Sequence, residues 1–239
     1  MKKYFLIDER IRKEEYDLLS KYGHVITIQK NNNLYEEISS HTDILCTKVL
    51  NTLIVDKSNY DNLKNSIKNN DIKIVCGKTD LKEKYPYDIC YNVCILNNIA
   101  IHNFKYTDKI VKTIIDKNDI KKISVKQGYT KCSIAVIDDT SVITTDKKIK
   151  EKLEDFNIDV LYLDYIPDIK LYNNNSYSTM NGFVGGTISI LDENNVVIFG
   201  DLNKIDKNDK IKKFILSKNK NIIDFKNLDV VDYGGMIAF

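Results

Sequence analysis

The sequence has no tryptophan and only three histidines in 239 residues. Lysine and asparagine are plentiful by contrast, which reads as compositional drift rather than chemistry. No apolar run approaches the roughly 18 residues that a membrane span needs. The apolar stretch Tyr4–Ile7 is too short for the core of a signal peptide, and acidic residues follow at once. No block of like charge stands out: 36 basic against 34 acidic residues leave +2, so composition argues for neither a membrane surface nor nucleic acid. Cysteine pairs in CxxC spacing are also missing. The five cysteines (Cys46, Cys76, Cys90, Cys94, Cys132) are odd in number and lack the further ligands of a zinc site. Reduced, buried thiols in a cytoplasmic protein are the expectation, with no metal, nucleotide or flavin implied.

What is present is ample apolar material, 43% of the residues, enough for one large domain or two small ones. It is arranged as a repeat. CTKVLNTLIVD from Cys46, CYNVCILNNIAIHN from Cys90, CSIAVIDDTSVITTD from Cys132 and GTISILDENNVVIFGD from Gly186 each place an alternating strand, a polar turn and a second strand in order. A helix-start signal follows each hairpin: Asp56 or Ser58, Thr107 or Asp108, Thr145 or Asp146, Asp206 or Asn208. Amphipathic segments come next, then closing strands at 72–76, 120–125, 158–163 and 221–225. The two ends supply the pieces of a fifth unit. Residues 233–239 match a first strand, and 1–28 match the second strand, helix and closing strand, so Phe239 and Met1 should lie on neighbouring strands. The units are expected at 233–239 plus 1–28, 41–77, 86–125, 128–163 and 181–225. Closing them into a ring would remove exposed sheet edges. An open α/β sheet is the competing expectation.

A ring of five ββαβ units resembles the pentein fold, the five-bladed α/β propeller of the guanidine-modifying enzymes. The runs YPYDICYN, IHNFKYTD, VKQGYTKCS and GFVGG are similar to a bacterial family of pentein-like proteins with no assigned function. The resemblance implies a single domain spanning 1–239. In the enzymes it also implies an acidic residue before a Gly-Gly pair, a histidine, and a nucleophilic cysteine after a glycine-rich stretch near the C-terminus. Here Val184 precedes Gly185-Gly186, and Met236, Ile237, Ala238 and Phe239 follow Gly234-Gly235 with no cysteine among them.

Residues just before the first strands should converge on one mouth: Asp43, Asp88, Lys126, Tyr129, Lys131, Asn181 and Asp232. Three carboxylates and two lysines would suit a zwitterionic or cationic small molecule, although each residue could equally cap or solvate a loop. His41 beside Asp43, and His102 at a strand end, are candidate proton carriers; His24 reads as structural. Cys132 has two lysines close in sequence, which would favour a thiolate. Against that, Cys46 and Cys90 take the same repeat position without such lysines. VKQGYTKCS could cradle an anion, and 172–177 read as an exposed loop, a lid or a linker. Two functional readings follow. One is a pentein-like protein without hydrolase activity that binds a small polar ligand or a macromolecule. The alternative is a hydrolase or transferase acting on a guanidine or amide through Cys132 with His41 or His102.

Overall fold

The computed structural model describes residues 3–68, 71–174 and 176–239. It contains five three-stranded sheets, each joining one antiparallel and one parallel pair, and a separate two-stranded hairpin. The first unit runs Cys46–Val49, Thr52–Val55, helix Lys57–Ser66 and Lys73–Cys76. The second runs Cys94–Leu96, Ile99–His102, helix Lys109–Lys117 and Lys121–Ser124. The third comprises Ile134–Asp138, Ser141–Thr144, helix Lys147–Glu154 and Asp159–Tyr162. The fourth comprises Ile188–Ile190, Asn195–Ile198, helix Lys210–Ser217 and Asn221–Ile223. In each, the helix is the crossover that a parallel pair demands.

The fifth sheet joins the two ends of the described chain. Ile237–Ala238 pairs antiparallel with Lys3–Asp8, which pairs parallel with Gly23–Ile28 across helix Lys13–Tyr22. Tyr4 and Phe239 exchange backbone hydrogen bonds at 2.7 and 3.1 Å and stack their rings. Met1 lies outside the described residues.

Burial explains the strand sequences. The middle strand of every sheet is apolar without alternation, and Phe5–Ile7, Leu53–Val55, Ala100–Ile101, Val142–Ile143 and Val196–Ile198 are all fully buried. Such runs mark strands covered on both faces. The third strands sit at sheet edges and are partly exposed.

Three of the expected caps are observed, with Asp56, Asp108 and Asp146 accepting from the first free amides of their helices. The fourth differs. Asp206 caps from further back, accepting from Ile211 and Lys212, because Asn208 and Asp209 turn left-handed between them. The first unit's first strand begins at Cys46 as expected, after a helical turn at Thr42–Leu45. Those expected from Cys90, Cys132 and Gly186 begin only at Cys94, Ile134 and Ile188, the last two behind a helical turn at Thr130–Ser133 and a 3-10 turn at Val184–Gly186. The stretch 172–177 is not a loop: Tyr172 pairs with Tyr177 in the hairpin Lys170–Asn173/Ser176–Asn181. Cys76 is only half-buried, unlike the other four thiols.

Asp108 does most for one unit. It accepts from Ile110 and Val111 of its helix, and from Lys78, Thr79 and the Thr79 hydroxyl of the preceding loop. Burial alone would push its carboxyl up, but these donors hold it below the ordinary range. Asp108→Ala should therefore cost about 2 kcal/mol, and lower Tm by about 4–8 °C in thermal unfolding.

Candidate functional site

The turns that lead into the first strands place their side chains toward one another. Asn92 lies just before the second unit's first strand and is fully buried. Its amide donates to the Asp43 carbonyl at 3.1 Å and to the Cys132 sulfur at 3.1 Å, while its oxygen accepts from Lys131 N at 2.8 Å. One side chain thus joins the leading turns of the first three units. Asp232 does the same for the last two. It accepts from Phe183 N and Gly234 N, each at 2.8 Å. Close approach imposes glycine here: a Cβ on Gly186 would lie 1.7 Å from Asp232 Oδ1. Gly234 adopts φ +67° and leaves room for His41 and Asp43.

The result is a buried polar cluster of His41, Asp43, Asn92, Lys131, Cys132 and Asp232. Lys131 Nζ donates to the Gly185 carbonyl at 2.8 Å. His41 Nδ1 stands 3.7 Å from Asp232 Oδ1, beyond hydrogen-bond range. Both ring nitrogens of His41, both carboxylate oxygens of Asp43 and the hydroxyls of Thr42 and Ser133 complete no hydrogen bond among the described residues. Groups so deeply buried are ordinarily paired.

Electrostatics follow from that burial. Desolvation pushes the Asp43 carboxyl up to about 7, with Asp232 adding to the shift and Lys131 opposing it. Burial pushes His41 down toward its neutral form, against the pull of Asp232. The Cys132 thiol is driven well above its usual range by burial, then by Asp43 and Asp232. Sequence proximity to lysines therefore misleads: burial first, and then two carboxylates, set its protonation. The repeat position misleads too. Cys132 is the third residue of its turn, whereas Cys46 and Cys94 begin strands and Cys90 comes four residues before one.

Of the other residues expected at the mouth, Asp88 and Tyr129 meet beside this cluster. The Tyr129 hydroxyl donates to Asp88 and lies 3.3 Å from the Tyr35 hydroxyl, with Phe183 and Tyr85 packed against its ring. Lys126 and Asn181 are exposed and stand apart. Lys126 borders a surface hollow with Gln127 and Asp146, and Asn181 ends the hairpin strand with its amide on the Pro167 carbonyl. His102 is buried between Thr107 Oγ1 at 2.6 Å and the Gly128 carbonyl at 3.1 Å, which makes it a brace for the loop before Tyr129. In that loop the Gln127 side chain accepts from Tyr129 N and the Gln127 carbonyl accepts from the Thr130 hydroxyl. His24 is exposed and tilts against Tyr4. Asn92 had no signal in the sequence, because an asparagine in a strand-like run reads as a turn residue. No group of three or more His, Cys, Asp or Glu side chains among the described residues is arranged to hold a metal ion.

Asp43 makes stability depend on pH. Its folded carboxyl titrates above the unfolded one, so the folded state holds the extra proton between about pH 4 and 7, and stability falls as pH rises through that window. Asp43→Asn escapes the penalty. Its stability advantage over the wild type should grow from pH 4 to 7 and level off above, reaching the order of a few kcal/mol. Tm against pH for the two proteins checks this.

The architecture has known counterparts. The chain is similar to DDAH from Pseudomonas aeruginosa, a Cys-to-Ser mutant complexed with citrulline, at TM-score 0.58 and 10% identity over 100% of both chains. It is similar to agmatine deiminase of C. jejuni at TM-score 0.51 and 13% identity, over 96% of this chain and 91% of that one. An amidinotransferase from Microseira wollei matches at TM-score 0.50 and 10% identity, over 93% and 88%. At such identities the likeness is one of fold: this is the pentein fold of guanidine-modifying enzymes. No sequence among curated proteins matches the chain. No helix among the described residues is long and apolar enough to cross a membrane. A family model does match, over residues 6–237, and the chain belongs to the family it describes, a family of unknown function (DUF6873).

Proposed function

We propose that residues 1–239 form one domain, a five-bladed α/β propeller, whose axial cluster binds a small polar ligand rich in N–H donors without hydrolysing it. The pairing of Ile237–Ala238 with Lys3–Asp8 supports ring closure. So does a cavity lined by residues from all five units, among them Leu50, Ile95, Val136, Ile188 and Ile237.

The observation that carries the binding reading is the unmet polar capacity at the axis. Asp43 offers two acceptor oxygens and His41 two ring nitrogens that complete no full hydrogen bond among the described residues, both in full burial. Only the Cys132 thiol and Asn92 stand near the carboxyl, and Asp232 near the ring. Leaving such groups unpaired costs about 1–3 kcal/mol each. A planar amidine or guanidine supplies paired N–H donors and a positive charge that two carboxylates would stabilise. Citrulline, the ligand of the Pseudomonas relative, offers the same donors without the charge. Hydrolysis is disfavoured by the protonated Cys132, since the thiolate is the attacking species. The segment Tyr233–Phe239, where the resemblance implies a nucleophile, carries no cysteine.

The hydrolase alternative keeps one supporting observation: Cys132 faces the same carboxylates that would hold a cationic substrate. A bound cation would lower its pKa. A stability screen against guanidines, ureas, amino acids and short peptides separates the readings. Saturation at 100 times Kd adds about 2.7 kcal/mol, and the response should vanish in Asp43→Asn. Labelling of Cys132 by a thiol reagent near neutral pH should stay slow with and without the ligand; fast labelling that needs the guanidine, together with ureido product, would favour hydrolysis. A flat screen would turn the search to a macromolecular partner at the mouth.

A further inference from the structure

A second compartment lies along the same axis. It is a cavity of about 400 Å³ reached by Lys131 but by none of His41, Asp43, Cys132 or Asp232. Its walls are mainly apolar, with every unit contributing, through Leu50, Ile95, Val136, Ile188 with Ile190, and Met236 with Ile237, and Leu50 is half-exposed. Two ammonium groups enter it, from Lys48 and Lys131, and no acidic side chain lines it. Each is shown donating to a single backbone carbonyl, Lys48 to Ala238 and Lys131 to Gly185, both at 2.8 Å. An ammonium has three donors, so both retain spare hydrogen-bonding capacity. Lys48 forms no ion pair among the described residues and loses solvation to the walls, which pushes its pKa down.

A cation without a counter-ion, set in an apolar tube, is complementary to an anion with an apolar tail. We propose that this cavity is a separate binding site for a carboxylate carrying an unbranched apolar chain of about six to eight carbons, a size suited to the smaller ligand pockets. The carboxylate pairs with Lys48, and the chain lies against Leu50 and the apolar side chains of the other four units' first strands. Such a molecule lacks the paired N–H donors that the buried cluster would take, so the two sites are chemically distinct.

Calorimetric titration of the full chain with butanoate, hexanoate, octanoate and octylamine tests this. The expected result is a Kd that falls about fourfold per added methylene from butanoate to octanoate. Octylamine should bind at least tenfold more weakly than octanoate. Lys48→Met, which keeps the side-chain bulk and removes the charge, should weaken octanoate at least tenfold while leaving the guanidine response of the buried cluster unchanged. Ile95→Phe, which narrows the cavity without touching charge, should weaken octanoate more than butanoate, and serves if Lys48→Met does not fold. Equal binding of octylamine and octanoate, no dependence on chain length, or wild-type octanoate affinity in the folded variants would overturn the proposal.

Discussion

The side chain of Asn92 is the joint on which the centre of this molecule depends. The leading turns of three units meet there with backbone N–H and C=O groups that the strand ladders described do not satisfy. Asn92 brings both donor and acceptor capacity to that point and meets the Asp43 carbonyl, the Lys131 amide and the Cys132 sulfur together. Asp232, acceptor only, completes the same task for the remaining turns at Phe183 and Gly234. With the backbone satisfied by these two side chains, the carboxylate of Asp43 and the imidazole of His41 are left over, buried and unmatched.

That leftover capacity is a cost to folding, and the rest of the structure is built to bear it. The middle strands bury continuous apolar runs, and the helices are capped by aspartates that also reach neighbouring loops. The Arg10 guanidinium holds Asp8, donates to the Glu36 and Glu37 carbonyls and reaches Tyr172, while Glu37 accepts from Asn173 and Ser178 of the hairpin. These ties bring the hairpin against the turn beside the axis. The cluster is thus buried and incompletely hydrogen-bonded among the described residues, a combination that perturbs titration and favours recognition sites.

Lys131 stands between two environments. Its ammonium faces Asp43 electrostatically on one side and lines the apolar cavity on the other, held at the boundary by the Gly185 carbonyl. Gly185 is tied there in turn, since a Cβ would meet the carbonyls of Lys131, Cys132 and Ile134 within 2.6 Å. A polar cluster and an apolar cavity can adjoin because a single long cationic side chain borders both.

The sequence by itself determined the unit and its order. Alternating and continuous apolar runs, Asp56, Asp108 and Asp146 before their helices, and a half-unit at each end all express local preferences that each segment satisfies alone. It also carried Asp43, Lys131 and Asp232 as residues at the head of first strands. Only the tertiary structure decided which of the candidates meet. Lys126 falls on the surface in its loop and Asn181 at the exposed end of the hairpin strand, and His102 is spent on Thr107 and Gly128. Asn92 became central, and Cys132 exchanged its sequence-adjacent lysines for carboxylates, because hydrogen-bond partners and local dielectric are set by what other units bring within a few ångströms. No single segment encodes that distance.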